Sequence, residues 1–347
     1  MVVLWSAVAG LLAAPPAHAA QPPGITVMRQ IAYVTGGTPD QVMDVYIPEG
    51  NGPFPGVIMI HGGGWSAGTT LDFRKESAHL AAEGFVAFAI DYRKAPVFHF
   101  PAQVEDAQAA VRYAREHADE FKLQPEHLGA LGGSAGGQLA AMLGVDGEGP
   151  RNVDARVNVV VSWSGPMDFT QPPTAEREAR RDGRVGRGPV RKYLGCSPLR
   201  CPDVYVDASP VTHVDATDAP TFLANGTEES VALQQPRSMV AALTSNGVEA
   251  RLVEVPGQFH SVAYEDKTAP ELDGKTVMDA SIDWLDKHIT AAQPSPTPSP
   301  SPVPTGPPED PVSNGLLLAG AIALVVLVAA GLVAGTLARR RRQSRLW

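Results

Sequence analysis

Ser134 lies at the centre of Gly132-Gly-Ser-Ala-Gly136, with the apolar run Leu128–Leu131 before it and the helix-forming Gln138–Leu143 after it. Strand, sharp turn and helix in that order hold a serine in a strained backbone conformation and push its hydroxyl into the open, and flanking glycines keep Cβ atoms out of the crossing. Ser134 is therefore the candidate nucleophile. A serine hydroxyl attacks an acyl carbonyl only with a base to take its proton, a carboxylate to orient that base, and N–H donors aimed at the developing oxyanion. His61-Gly-Gly-Gly-Trp65 can supply donors, because glycine backbone approaches a carbonyl without side-chain interference. The expected donors are the amides of Gly63, Gly64 and Ala135. Among the nine histidines, His260 in Val255-Pro-Gly-Gln-Phe-His-Ser261 alone lies after a late strand and before the last helix, where the order serine, acid, histidine puts the base. His288 is expected in that last helix, facing solvent, and His61 is expected to shape its own loop. The acid falls in Asn225-Gly-Thr-Glu-Glu-Ser230, where Glu228 and Glu229 both qualify; Asp218 precedes the strand and belongs to its wrong end.

Such residues need a scaffold. Residues 25–33 and 41–47 read as strands about the turn Thr35-Gly-Gly-Thr-Pro39, and the polar–apolar alternation of Asp44–Pro48 suits an outer strand. Gly56–Ile60 is a continuous apolar run, as a strand buried on both faces requires, and it ends at His61. Residues 71–83 have helical spacing and 84–90 form the next buried strand. Residues 100–120 read as one long amphipathic helix entered through Pro101, with Val104, Ala107, Val111 and Ala114 on one side. Strands over 157–163, 220–224 and 249–255 and a helix over 276–288 complete the pattern. The alternation predicts an α/β fold, a mostly parallel sheet with helices on both faces. Between residues 164 and 214 the periodicity is lost. This charged, glycine-rich insertion stands where a small cap could close over a site, or where a solvated excursion could leave the sheet.

The ends differ in composition from the middle. Residues 1–20 are apolar and small and finish in Ala17-His18-Ala19, the pattern of a cleaved signal peptide, although no positive n-region precedes them. Residues 21–290 are long enough for one large domain. Residues 291–314 are a Pro/Ser/Thr-rich stalk of extended polyproline type. Residues 315–338 contain the uncharged run Leu316–Leu337, long enough to span a bilayer as a helix, and 339–347 form a tail whose Arg339–Arg342 cluster belongs on the cytoplasmic side. The domain is then expected outside the cell. A hydrophobic run with an arginine tail also fits a wall-sorting signal, but Val303-Pro-Thr-Gly306 is a poor sorting motif, and a retained anchor is the preferred reading. Net charge is −9, and removing the five tail arginines leaves −14 for the rest, which argues against nucleic acid or anionic lipid as a partner of the domain. The only cysteines, Cys196 and Cys201, read as a local disulfide in an exported protein; they lack the further ligands a metal site needs.

The motifs His61-Gly-Gly-Gly-Trp65, Asp91-Tyr-Arg-Lys-Ala-Pro96, Gly132-Gly-Ser-Ala-Gly-Gly137, Ala208-Ser-Pro-Val-Thr-His213 and Gly257-Gln-Phe-His-Ser261 together resemble the α/β-hydrolase esterases related to hormone-sensitive lipase, in particular small bacterial carboxylesterases. The resemblance covers about residues 26–288. It implies the α/β-hydrolase fold and a Ser134–His260–Glu229 triad, because the acid of that family sits four residues after a His-Gly strand end, the position of Glu229. Asn225 stands where that branch has His, and Glu replaces the commoner Asp. It further implies hydrolysis of short acyl esters through an acyl-enzyme, with no metal or organic cofactor and with a small-molecule or envelope ester as partner. Acetylated polysaccharides, aryl formamides and aminoacyl peptides are alternative substrates, and a catalytically silent surface-binding module is the alternative of another class.

Overall fold

The computed structural model describes residues 24–147, 150–171, 188–265, 269–271 and 274–289. The expected signal segment, stalk, anchor and tail lie outside the described residues, as does the middle of the insertion. Among the described residues no helix is long and apolar enough to cross a membrane.

Eight strands form one sheet in the order β1-β2-β4-β3-β5-β6-β7-β8. They are β1 (Ile25–Ala32), β2 (Val42–Pro48), β3 (Phe54–Ile60), β4 (Val86–Ile90), β5 (Leu123–Gly133), β6 (Val159–Trp163), β7 (Thr221–Gly226) and β8 (Ala250–Val255). The pairs β1/β2 and β2/β4 are antiparallel and all others are parallel. The expected mostly parallel sheet is thus present, but the outer strand is β1. Alternation in Asp44–Pro48 was misleading because Asp44, buried in β2, is neutralised by Arg29 at 3.0 Å and accepts the Gln30 N–H at 2.9 Å. A buried charge with a partner reads like a solvent-facing one in a sequence.

Side chains alternate across a strand, so an apolar run feeds both faces. In β3, Ile58 and Ile60 enter one core cluster with Val104 and Val111 of α2 (Ala102–Glu116) and Leu139 and Met142 of α4 (Ala135–Val145). Val57 and Met59 enter the other, with Leu80 of α1 (Arg74–Ala82) and Trp284 and Leu285 of α8 (Val277–Ile289). Helices therefore cover both faces, and the position of α7 (Gln234–Ser245), which the sequence pattern did not single out, is set by Met239 and Leu243 packing on Leu223 of β7. The helix expected over 100–120 breaks into α2 and the short α3 (Ala118–Phe121). At the break the Tyr113 carbonyl accepts both the His117 backbone N–H at 3.0 Å and its ring N–H at 2.9 Å, and the ring stacks on Tyr113 at 3.9 Å, which holds His117 at the turn between the two helices. His288, expected in solvent, is buried against Trp284 at 4.2 Å.

Chain order reverses beside β3, with β4 on one side and β5 on the other. Open α/β sheets place ligands at the carboxyl ends of strands on either side of such a switch. Here those ends are His61 and Ser134.

Candidate active site

The apolar end of β5 runs into α4 with one residue between them, and that residue, Ser134, has φ 55° and ψ −119°. Its N–H donates to the Trp163 carbonyl at 2.7 Å, so the turn is hydrogen-bonded to the end of β6. A Cβ on Gly136 would lie 1.9 Å from the Ile60 carbonyl oxygen, which makes glycine obligatory where α4 crosses β3. The serine is strained, partly exposed and without a hydrogen-bond partner for its hydroxyl among the described residues.

The loop after β3 closes on this turn. A Cβ on Gly62 would lie 3.2 Å from the Ser134 Cβ, so the glycine backbone is in contact with the serine. Gly63 has φ 105°, and its carbonyl takes the N–H groups of Ser66 at 3.1 Å and Ala67 at 3.2 Å. The N–H groups of Gly63 and Gly64 have no acceptor among the described residues, and that of Ala135 is the first of α4, where no acceptor exists within the helix. His61 holds the loop in shape, as expected. Its Nε2–H donates to Asp91 Oδ1 at 2.9 Å, its Nδ1 is 2.7 Å from the Gly62 carbonyl, and its ring stacks on Tyr92 at 4.5 Å. Burial alone would raise the Asp91 carboxyl, but hydrogen bonds from His61 and from Lys94, the latter at 2.6 Å, outweigh it and hold Asp91 below the ordinary carboxylate value.

His260 and Glu229 reach the same corner on the loops after β8 and β7. His260 Nδ1–H donates to Glu229 Oε2, while Nε2 has no partner among the described residues. The Glu229 side chain is 1% exposed and that of His260 34%, so the acid is shut from water and the base opens outward. Glu229 Oε1 also accepts the Gly226 N–H at 2.9 Å and the Tyr264 hydroxyl at 3.3 Å. Glu228 is exposed, and its carboxylate has no hydrogen bond or ion pair among the described residues. Asn225, the departure from the family pattern, is buried and donates from Nδ2 to the Gly226 and Val231 carbonyls at 3.0 Å each, tying the acid's turn together. Ser261, next to the base, abuts Gly133, where a Cβ would lie 2.0 Å from the Ser261 Oγ. No hydrogen bond joins Ser134 Oγ to His260 Nε2 in this structure; such contacts commonly tighten only with substrate bound. Asp218 sits at the other end of β7, paired with Arg156 at 3.1 Å, as its sequence position requires.

The insertion contributes packing. Its helix α5 (Pro189–Leu194) sets Pro189 against Gly64 and stacks Tyr193 on Trp65 at 4.3 Å. Cys196 and Cys201 are disulfide-bonded between α5 and α6 (Pro202–Asp207). Gln138 of α4 knots these parts together: its Oε1 accepts from Trp65 Nε1 at 3.0 Å and its Nε2 donates to the Ala208 carbonyl at 2.9 Å. Gln138, Tyr264 and Ser164 lie outside the motifs read in the sequence; only the fold brings them to the site.

A serine at a left-handed turn after a central parallel strand, with free amides beside it and a His–Glu pair from the last two strand ends, defines an α/β-hydrolase. The profile of the BD-FAE family matches residues 43–243, and the chain belongs to that family. Esterase LipC of Mycobacterium tuberculosis is 30% identical over 263 residues, covering 71% of this chain and 64% of LipC. The probable carboxylic ester hydrolase LipM of the same organism is 30% identical, covering 55% of this chain and 45% of LipM. The chain thus spans less than two thirds of either relative. A truncated carbohydrate esterase from gut microbiota shares the fold, with a TM-score of 0.65 at 23% identity over 77% of this chain and 97% of that one. The expected relation to the hormone-sensitive-lipase-like bacterial esterases is borne out.

Proposed function

We propose that the protein is a serine carboxylesterase acting on short acyl esters. Ser134 Oγ attacks the ester carbonyl as His260 Nε2 takes its proton. The oxyanion is held by the N–H groups of Gly63, Gly64 and Ala135, worth about 3 kcal/mol or more for each well-aimed donor. Glu229 fixes the tautomer of His260 and stabilises its cation. His260 then protonates the departing alcohol, and water repeats the attack on the acyl-enzyme with the same base. The observation that carries this reading is the contact of His260 with the buried Glu229, with Nε2 left free, beside a strained Ser134. The named relatives in the family, an esterase and a probable carboxylic ester hydrolase, support it.

The domain works outside the cell, tethered by the stalk and hydrophobic run at the C-terminal end. The Cys196–Cys201 disulfide supports an oxidising compartment. The test is hydrolysis of p-nitrophenyl acetate, butyrate and decanoate by the full-length chain beside Ser134→Ala. The proposal expects acetate and butyrate to be preferred and all turnover to vanish with Ser134→Ala. A folded chain inactive on every ester contradicts it and brings forward the surface-binding alternative.

A further inference from the structure

Three segments must hold one geometry for this site to work, and they come from distant parts of the chain: the Ser134 turn, the Glu229 turn and the loop carrying His260. One buried serine, Ser164, bonds the loop of His260 directly and reaches the Ser134 turn through Trp163 and Glu229 through Tyr264. Ser164 follows β6 with φ 56°, a strained conformation for a residue with a Cβ. It sits next to Trp163, whose carbonyl takes the Ser134 N–H, and its own N–H is bound to the Ala224 carbonyl of β7 at 2.8 Å. Its hydroxyl oxygen accepts the N–H of Ser261, the residue after the base, at 3.0 Å. The same hydroxyl is 2.7 Å from the Tyr264 hydroxyl, which in turn is 3.3 Å from Glu229 Oε1.

The direction of this chain follows from what each group can do. An ionised carboxylate only accepts, so the Tyr264 O–H must donate to Glu229. The hydrogen between the two hydroxyls then belongs to Ser164, whose O–H donates to the Tyr264 oxygen. Tyr264 is buried, packed edge-on against Trp163 at 6.1 Å, and burial together with the charge of Glu229 holds its phenol protonated well above the usual range. Nothing in ester hydrolysis uses these two hydroxyls directly. Tyr264 bonds Oε1 of Glu229 while His260 bonds Oε2, so the polarised phenol draws carboxylate charge toward Oε1 and away from the imidazole.

We infer that Ser164 and Tyr264 are positioning residues of the esterase site, a two-hydroxyl brace that locks Glu229 and the backbone beside His260 to the strand end carrying Ser134 and tunes the basicity of His260 through Glu229. The inference rests on the esterase reading above. Other charged groups on the surrounding elements are engaged elsewhere: Glu228 is exposed, Glu254 of β8 pairs with Arg237 at 2.7 Å, and Glu265 lies in the field of Glu76 and Asp279.

The test compares full-length wild type, Tyr264→Phe and Ser164→Gly by kcat and kcat/KM for p-nitrophenyl acetate from pH 5 to 9. Phenylalanine keeps the ring packing, and glycine suits the positive φ. Removing the phenol donor leaves more charge on Glu229 facing His260, which favours the imidazolium. The acid limb of the Tyr264→Phe kcat/KM profile is expected to move up by about half a pH unit, with kcat down about tenfold and KM nearly unchanged. Ser164→Gly is expected to lower kcat similarly, and the double variant to lose less than the product of the single losses. A Tyr264→Phe enzyme with a wild-type acid limb, whether or not its rate falls, overturns the inference. An inactive wild type that also resists a fluorophosphonate probe sinks the esterase reading itself, and the brace with it; an active wild type with unmoved variants sinks the brace alone.

Discussion

Replacing Glu229 by glutamine changes one acceptor oxygen to an amide and leaves the shape of the side chain. Its carboxylate is 1% exposed and bonded to His260 Nδ1, the Gly226 amide and Tyr264, so no water can replace the lost charge. An imidazolium forming about 4 Å from that charge, at an effective dielectric of about 20, loses about 4 kcal/mol. That is roughly three powers of ten in rate. Glu228, on the same turn and exposed, offers an internal control because a solvated charge contributes little at that range. The assay is kcat/KM for p-nitrophenyl acetate near pH 8, with circular dichroism to show that both variants fold. Glu229→Gln is expected to fall about a thousandfold, and Glu228→Gln to stay within about twofold of wild type. A Glu229→Gln enzyme keeping more than a tenth of its activity, or a Glu228→Gln loss of equal size, would refute the electrostatic reasoning.

Gly63→Ala forces a Cβ to within 2.2 Å of the Ala67 carbonyl oxygen at φ 105°, so the loop must move; kcat is expected to drop about a hundredfold with Tm little changed, and an undiminished kcat counts against the donor role of this loop. Burial holds the Glu76 carboxyl above its ordinary value, and Glu265 is pushed up to about 7 by partial burial and by the charges of Glu76 and Asp279. Raised acid values mean that the folded state favours the protonated form, so this contribution is complete below the usual carboxylate range and is lost as the pH rises toward and through about 7. The Tm gain of Glu76→Gln over wild type should therefore grow between pH 5 and pH 8, and an equal gain at both ends contradicts the assignment. Cleaving the Cys196–Cys201 link with dithiothreitol, or with paired serine substitutions, should cost about 2 kcal/mol for so short a loop, lowering Tm by about 4 °C; an unchanged Tm would show that the insertion does not depend on its disulfide.

What could be read in the sequence was whatever depends on neighbours in the chain. The Ser134 turn is written in five adjacent residues, and the buried strands in runs such as Gly56–Ile60 that feed both faces. Glu229 and Glu228 could not be separated by residue type, since both are glutamates on one turn; burial and the His260 contact distinguish them. Asp44 misled because a paired buried charge mimics an exposed one, and His288 because the face of a helix that packs inward is decided by Trp284 and the sheet. Ser164, Tyr264 and Gln138 act through contacts 35 to 100 residues away in the chain, so no local pattern marks them.

The most direct test of the central claim is covalent labelling. Full-length protein treated with a fluorophosphonate, digested and mapped by mass spectrometry is expected to carry the phosphonyl group on Ser134, with labelling lost in Ser134→Ala and sharply slowed in His260→Ala. An adduct on another residue, or no adduct on a folded chain that still hydrolyses esters, would contradict the assignment of Ser134 as the nucleophile.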